Sequence, residues 1–117
     1  MKNSPTPKQV QQFAKYVGEF QQKLNLLSWR IEGSGSPADE GSLAQVDISL
    51  EDRLAVWSLG DDWHKTPINA KTLREAALHE ILHVALCPLI SAAHSRDPSH
   101  ISVEEHALII VLEKLLK

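Results

Sequence analysis

The sequence predicts an α+β fold, a small antiparallel sheet packed on helices. Three observations carry this expectation. An amphipathic helix opens the chain, short alternating segments fill its middle, and two long apolar stretches with helical spacing close it. The 117 residues are enough for one core and not for two, so a single domain over 1–117 is expected. Hydrophobic residues at 43% and charged residues at 23% fit an ordinary globular domain and not a disordered one.

The first helix has a well-marked start. Thr6 is placed to cap it, Pro7 sits at the favoured first position, and Gln9 completes a capping box. Val10, Phe13, Ala14, Val17, Phe20, Leu24 and Leu27 then recur at helical spacing and should face the core. Trp29 and Ile31 alternate with Arg30 and Glu32, which suggests a short strand. Residues 33–42 are rich in Gly, Ser, Pro and acids and read as a loop. Ala44, Val46, Ile48 and Leu50 alternate strictly, as in a half-buried strand, and Glu51-Asp52 turns the chain into a further strand from Arg53 to Leu59. From Asn69 to Cys87 the chain reads as a helix apolar nearly all round, which belongs in the protein centre. Pro88 marks a stop or kink. Residues 91–102 read mostly as a polar connection, and a last helix runs from about Ser102 to the C-terminus.

Charge and cysteine content narrow the function classes. The formal charge of -3 leaves no basic surplus for nucleic acid and no polybasic patch for a membrane surface. Cys87 is the sole cysteine, so neither an internal disulfide nor a cysteine-based zinc site is available within one chain. The N-terminus lacks the apolar stretch of a signal peptide, and no apolar run reads as a bilayer span. The cytoplasm is therefore the expected location, with no nucleic-acid or membrane partner.

One motif carries chemistry. His79-Glu80-Ile81-Leu82-His83 is an HExxH sequence. Residues four apart share a helix face, so both imidazoles reach one metal. Glu80 lies about 100° around the helix from His79, where it reaches a water on that metal and takes its proton. A shuffled chain of this composition would carry the pattern about 2% of the time. The setting sharpens it, because Ala76, Ala77, Leu78, Ile81, Leu82, Val84 and Ala85 surround the motif without a charge. A buried polar triplet needs partners, and a metal supplies them.

A catalytic zinc site takes three protein ligands and keeps one position open. The position six residues after the motif holds Leu89, so the third ligand must come from elsewhere. His94, His100 and His106 are conceivable. On a helical wheel of the last helix, His106, Glu113 and Lys117 mark the solvent side and Leu108, Val111 and Leu115 the buried side. Glu104 falls in the centre of that buried stripe, and Glu105 on its flank above Ile109 and Leu112. A buried carboxylate is costly unless it binds a metal, so Glu104 is the preferred third ligand over Glu105.

His79 to His83 with its uncharged flanks resembles the active-site helix of the zincin metallopeptidases. A glutamate ligand on a following helix resembles the gluzincin branch, whose ligand helix often reads Glu-x-x-Ala/Ser-Asp. Glu104-Glu105-His106-Ala107-Leu108 matches until Leu108, which replaces an acid that would buttress a histidine ligand. The layout from Ala44 to Lys117 also resembles small phage-encoded HExxH proteins and the SprT-like and ImmA/IrrE-like domains. The resemblance implies a minimal zincin-like domain and a zinc-dependent metallopeptidase, with Zn2+ on His79, His83 and Glu104 and Glu80 as general base. It also admits a second function, a zincin-fold binding or regulatory module acting on one partner protein without general proteolysis. In that fold an edge strand beside the active-site helix pairs with an extended peptide. The segment Arg53 to Leu59 is either that edge strand or an inner one.

Other residues carry weaker expectations. Trp57 and Trp63 are expected to pack in the core or on the surface before they line a cleft. His64 and His94 are candidates for stabilising a developing oxyanion, although a lone loop histidine is more often solvated. Cys87, one turn past His83, is expected to be an inert apolar residue. The acids Asp61 and Asp62 make a turn.

Overall fold

The computed structural model describes residues 1–94 and 101–116, apart from the side chains of Glu104 and Leu115. The elements are α1 (Pro7–Lys23), β1 (Arg30–Gly33), β2 (Ala44–Ser49), β3 (Leu54–Leu59), α2 (Ala70–His94) and α3 (Ile101–Leu116). The α+β class holds. The sheet differs from expectation, because it is mixed and not antiparallel: its order is β1-β3-β2, with β1 parallel and β2 antiparallel to β3. The tight turn at 50–53, with Arg53 at a positive φ of 50°, allows the β2–β3 hairpin. The longer excursion from β1 to β2 carries the chain past the centre of the sheet, so β3 fills the middle position. The segment Arg53 to Leu59 is thus an inner strand, β1 and β2 are the two edges, and β2 is the edge packed against α2.

The capping box of α1 forms as predicted. Gln9 donates its backbone N–H to the Thr6 hydroxyl, and Thr6 donates its own to the Gln9 side chain. Phe13, Val17 and Phe20 are the buried residues of α1. Phe13 meets Trp57 of β3 at a ring-centroid distance of 4.9 Å and a tilt of 58°. Leu27, expected on the same stripe, lies beyond the end of α1 and is 67% exposed. Trp57 and Trp63 both pack in the core, as expected.

The central helix runs further than its sequence suggests. Asn69 and Thr72 cap it reciprocally, side chain to backbone in both directions. It then continues through Pro88 to His94. Proline removes one backbone hydrogen bond, but Leu86, Leu89, Ala92 and Ala93 are good helix formers that carry the helix past it. By length and composition α2 is apolar enough to cross a bilayer, contrary to the sequence expectation. Here it serves as the core helix, with Leu73, Ala77, Leu78, Ile81, Leu82 and Val84 buried.

Candidate metal centre

His79 and His83, four residues apart on α2, stand with ring centroids 5.1 Å apart. The third histidine beside them is His106 of α3, with its ring 5.2 Å from His83 and 6.1 Å from His79. One ligand atom from each of the three lies within 4.8 Å of the others. Tetrahedral zinc with Zn–N of about 2.0–2.1 Å needs nitrogens roughly 3.4 Å apart, a closure of up to about 1.4 Å that side-chain rotations supply.

The hydrogen bonds around these rings favour metal binding. His79 Nδ1 donates to Glu113 Oε1 at 3.0 Å, and His83 Nδ1 donates to Glu105 Oε2 at 3.0 Å. His106 Nδ1 donates to the backbone carbonyl of Ser102 at 2.9 Å. Each ring therefore holds its proton on Nδ1, and in the neutral imidazole this leaves the Nε2 lone pair free. Among the described residues no hydrogen bond reaches any of the three Nε2 atoms. Three anchored imidazoles with free lone pairs fit a zinc-type ion, and this donor set also suits other divalent metals that take imidazole.

Glu80 is buried beside this cluster, 8% exposed. Burial, and secondarily the charge of Glu113, push its carboxyl up to about 8. A carboxyl so placed is protonated at neutral pH until a cation comes near, and a bound dication reverses that balance.

The same face of α2, from Thr72 to His94 in steps of three and four residues, walls two cavities. His79 and Glu80 line both. The larger, of about 530 Å³, runs between β2 and the C-terminal half of α2 and is closed on a third side by Glu105 and His106. The smaller, of about 340 Å³, is walled by Trp63, Glu75 and Glu113. The Trp63 indole N–H is buried, and among the described residues it has no acceptor. Along β2, Gly60 donates its N–H to the Leu43 carbonyl, which fixes the phase of the ladder. Residues 45, 47 and 49 then bond to β3, and Ala44, Val46 and Ile48 turn their N–H and C=O groups to the free edge. These three residues line the larger cavity.

Of the sequence-predicted residues, His79, Glu80 and His83 come together. Glu104 lies on α3, but its side chain is outside the described residues, as are His100 and Lys117. The expected phase of α3 is displaced. Leu108 and Val111, placed on the buried side, are 41% and 53% exposed, whereas Ile109 is fully buried. Glu113 and His106, placed on the solvent side, face the α2 histidines. The stripe 105-109-112-116 packs inward, whereas Leu108 and Val111 of the expected stripe 104-108-111-115 do not, a shift of one residue. Both stripes have the same spacing and both are apolar after the acid, so periodicity cannot choose between them. A usable signal was the second stripe's company of Glu105, His106 and Glu113, which pairs polar groups with a histidine motif. Glu105 carries the side chain that sequence reasoning ranked second, and it holds a histidine ring by hydrogen bond. His94 lines the larger cavity, while His64 sits apart beside Asp62 at a positive φ of 52°.

The chain matches no protein-family model, no curated protein and no solved structure.

Proposed function

We propose that this protein is a zinc-dependent peptidase whose metal is held by His79, His83 and His106. The observation that carries this reading is the trio of imidazoles, each with Nδ1 anchored and Nε2 free, beside the buried carboxyl of Glu80. When bound, zinc supplies a Lewis acid and lowers the pKa of a coordinated water toward neutrality. Glu105 and Glu113 hold two of the rings in the ligating tautomer. Glu80 accepts the proton of the attacking water and passes it to the departing amine as the C–N bond breaks. The free edge of β2 offers main-chain groups of Ala44, Val46 and Ile48 to an extended peptide lying in the larger cavity. This edge takes the part that the sequence left open for Arg53 to Leu59. An intact Glu80 distinguishes the site from a purely structural zinc, which needs no general base.

The test is Glu80→Gln. This variant keeps the size of the side chain and removes the base. Elemental analysis should find close to one zinc per chain in both proteins. Hydrolysis of a peptide library by the variant should fall by about 100-fold or more. Undiminished cleavage by Glu80→Gln would refute the mechanism. Zinc binding with no cleavage by the wild type would favour a module that binds one partner without hydrolysing it.

A further inference from the structure

The two cavities that share His79 and Glu80 differ in chemistry. The smaller is walled by the acids Glu75 and Glu113. The larger, beyond His83, passes between Val46 and Ile48 of β2 and Cys87 and Ile90 of α2. Among the described residues its lining holds no Lys, Arg or Asp, and its acids are Glu80 and Glu105 at the metal end. Val46, Ile48 and Cys87 pack on the buried cluster of Trp29, Ala55 and Val84, so this wall is backed by rigid core. We propose that the compartment between Val46, Ile48, Cys87 and Ile90 is a specificity pocket for a large apolar side chain of an extended peptide, two to three residues from the scissile bond.

The distance follows from helix and strand geometry. Cys87 lies four residues beyond His83, about 6 Å along the helix, and Ile90 lies seven beyond, about 10 Å. An extended peptide lying along this stretch of α2 advances about 3.3 Å per residue, so these positions face its second and third residues from the metal. The occupant is a peptide and not a free small apolar molecule, because β2 presents main-chain donors and acceptors along the same compartment. A leucine or phenylalanine side chain there gains burial. A charged one loses hydration, and Val46, Ile48, Cys87 and Ile90 give it no charged partner; the nearest polar groups of the lining are Ser91 and His94 further along α2. The inference rests on the peptide-site reading above and adds to it a preference.

Cys87 provides a direct probe, because it is the sole cysteine and lines the compartment. The experiment uses the full zinc-loaded chain carrying Glu80→Gln, with fluorescent decapeptides identical except for a central Leu, Phe, Gly, Asp or Lys. Binding is read by anisotropy, and the rate of Cys87 alkylation by N-ethylmaleimide is read with and without each peptide. The Leu and Phe peptides should bind about 10-fold or more tighter than the Asp and Lys peptides. They should also slow Cys87 alkylation several-fold. Ile90→Asp, with zinc retained, should erase the preference. Equal affinities, no binding by any peptide, or tight binding that leaves Cys87 alkylation unchanged would each overturn the proposal. Apolar-dependent binding without cleavage by the wild type would sink hydrolysis and leave the pocket standing. Cleavage with no preference at any position within three residues of the bond would sink the pocket alone.

Discussion

His106→Ala tests the metal centre at its least expected member. Structural zinc bound by four ligands contributes about 10–16 kcal/mol, so one ligand's share is roughly 3–4 kcal/mol, or about 100- to 1,000-fold in affinity. His106 is exposed, so ordering its ring on an ion costs something that His79 and His83, half-buried, do not pay. The bond from its Nδ1 to the Ser102 carbonyl offsets part of that cost by fixing the ring beforehand. The expected loss is therefore near the lower figure, about 100-fold, measured by competition with a chelating dye. Far-ultraviolet circular dichroism checks that α3 persists. Glu104→Ala is the matched control, since the sequence alone favoured that residue. Glu105→Gln and Glu113→Gln, which loosen the hold on two rings, should each cost about 10- to 100-fold. Unchanged affinity in His106→Ala together with a large loss in Glu104→Ala would show that the metal selects the other stripe of α3, and the three-histidine centre would be wrong.

Two further outcomes follow from the same residues. In the metal-free protein Glu80 keeps its proton to about pH 8, whereas in the unfolded chain it releases it near 4.5. Between those values the unfolded state binds fewer protons, so stability falls as pH rises, with a slope approaching about 1.4 kcal/mol per pH unit from this group. Melting temperatures of chelated wild type and Glu80→Gln from pH 5 to 8 should diverge accordingly, and parallel curves would show that Glu80 is solvated. Zinc at about 1,000 times its Kd should raise stability by about 4 kcal/mol, so a chelator should lower Tm by 10 °C or more. An unchanged melt after proven removal of the metal would mean that α2 and α3 hold together without it.

Much of this arrangement was readable from local pattern. Thr6, Pro7 and Gln9 fix the start of α1 because capping is decided within four residues. The alternation at Ala44 to Leu50 marks β2 because Ala44, Val46, Ile48 and Leu50, half-buried, pack against the core. His79, Glu80 and His83 lie on one helix, so their mutual geometry is set by helical repeat alone. What depends on contacts distant in sequence was not readable. The place of β3 in the middle of the sheet depends on β1 pairing with it in parallel, and no local pattern separates an inner strand from an edge one. The phase of α3 is set by Ile109 entering the core and by Glu105 and Glu113 reaching histidines 22 and 34 residues earlier. A helix apolar on most sides accepts either phase until those partners are in place.

The continuation of α2 through Pro88 matters for the cleft, since Ile90, Ser91 and His94 line the larger cavity only because the helix persists. Proline at 88 has no N–H to give the carbonyl four residues earlier, on Val84, whose side chain is fully buried. Its presence therefore costs stability at the very turn that separates the histidines of the proposed metal centre from the apolar compartment. Pro88→Ala restores the donor and removes the ring, at the loss of some stiffness in the unfolded chain. The helix-interior penalty of about 3 kcal/mol, less about 1 kcal/mol for the unfolded state, predicts a gain of about 2 kcal/mol by denaturant titration. Zinc affinity should be unchanged, because His79 and His83 precede the altered turn. Peptide affinity should shift, because the same turn sets how far Ile90 stands from Val46 and Ile48. A loss of stability in Pro88→Ala would refute this account, and would mean that the Val84 carbonyl already has a partner which the straightened helix takes away.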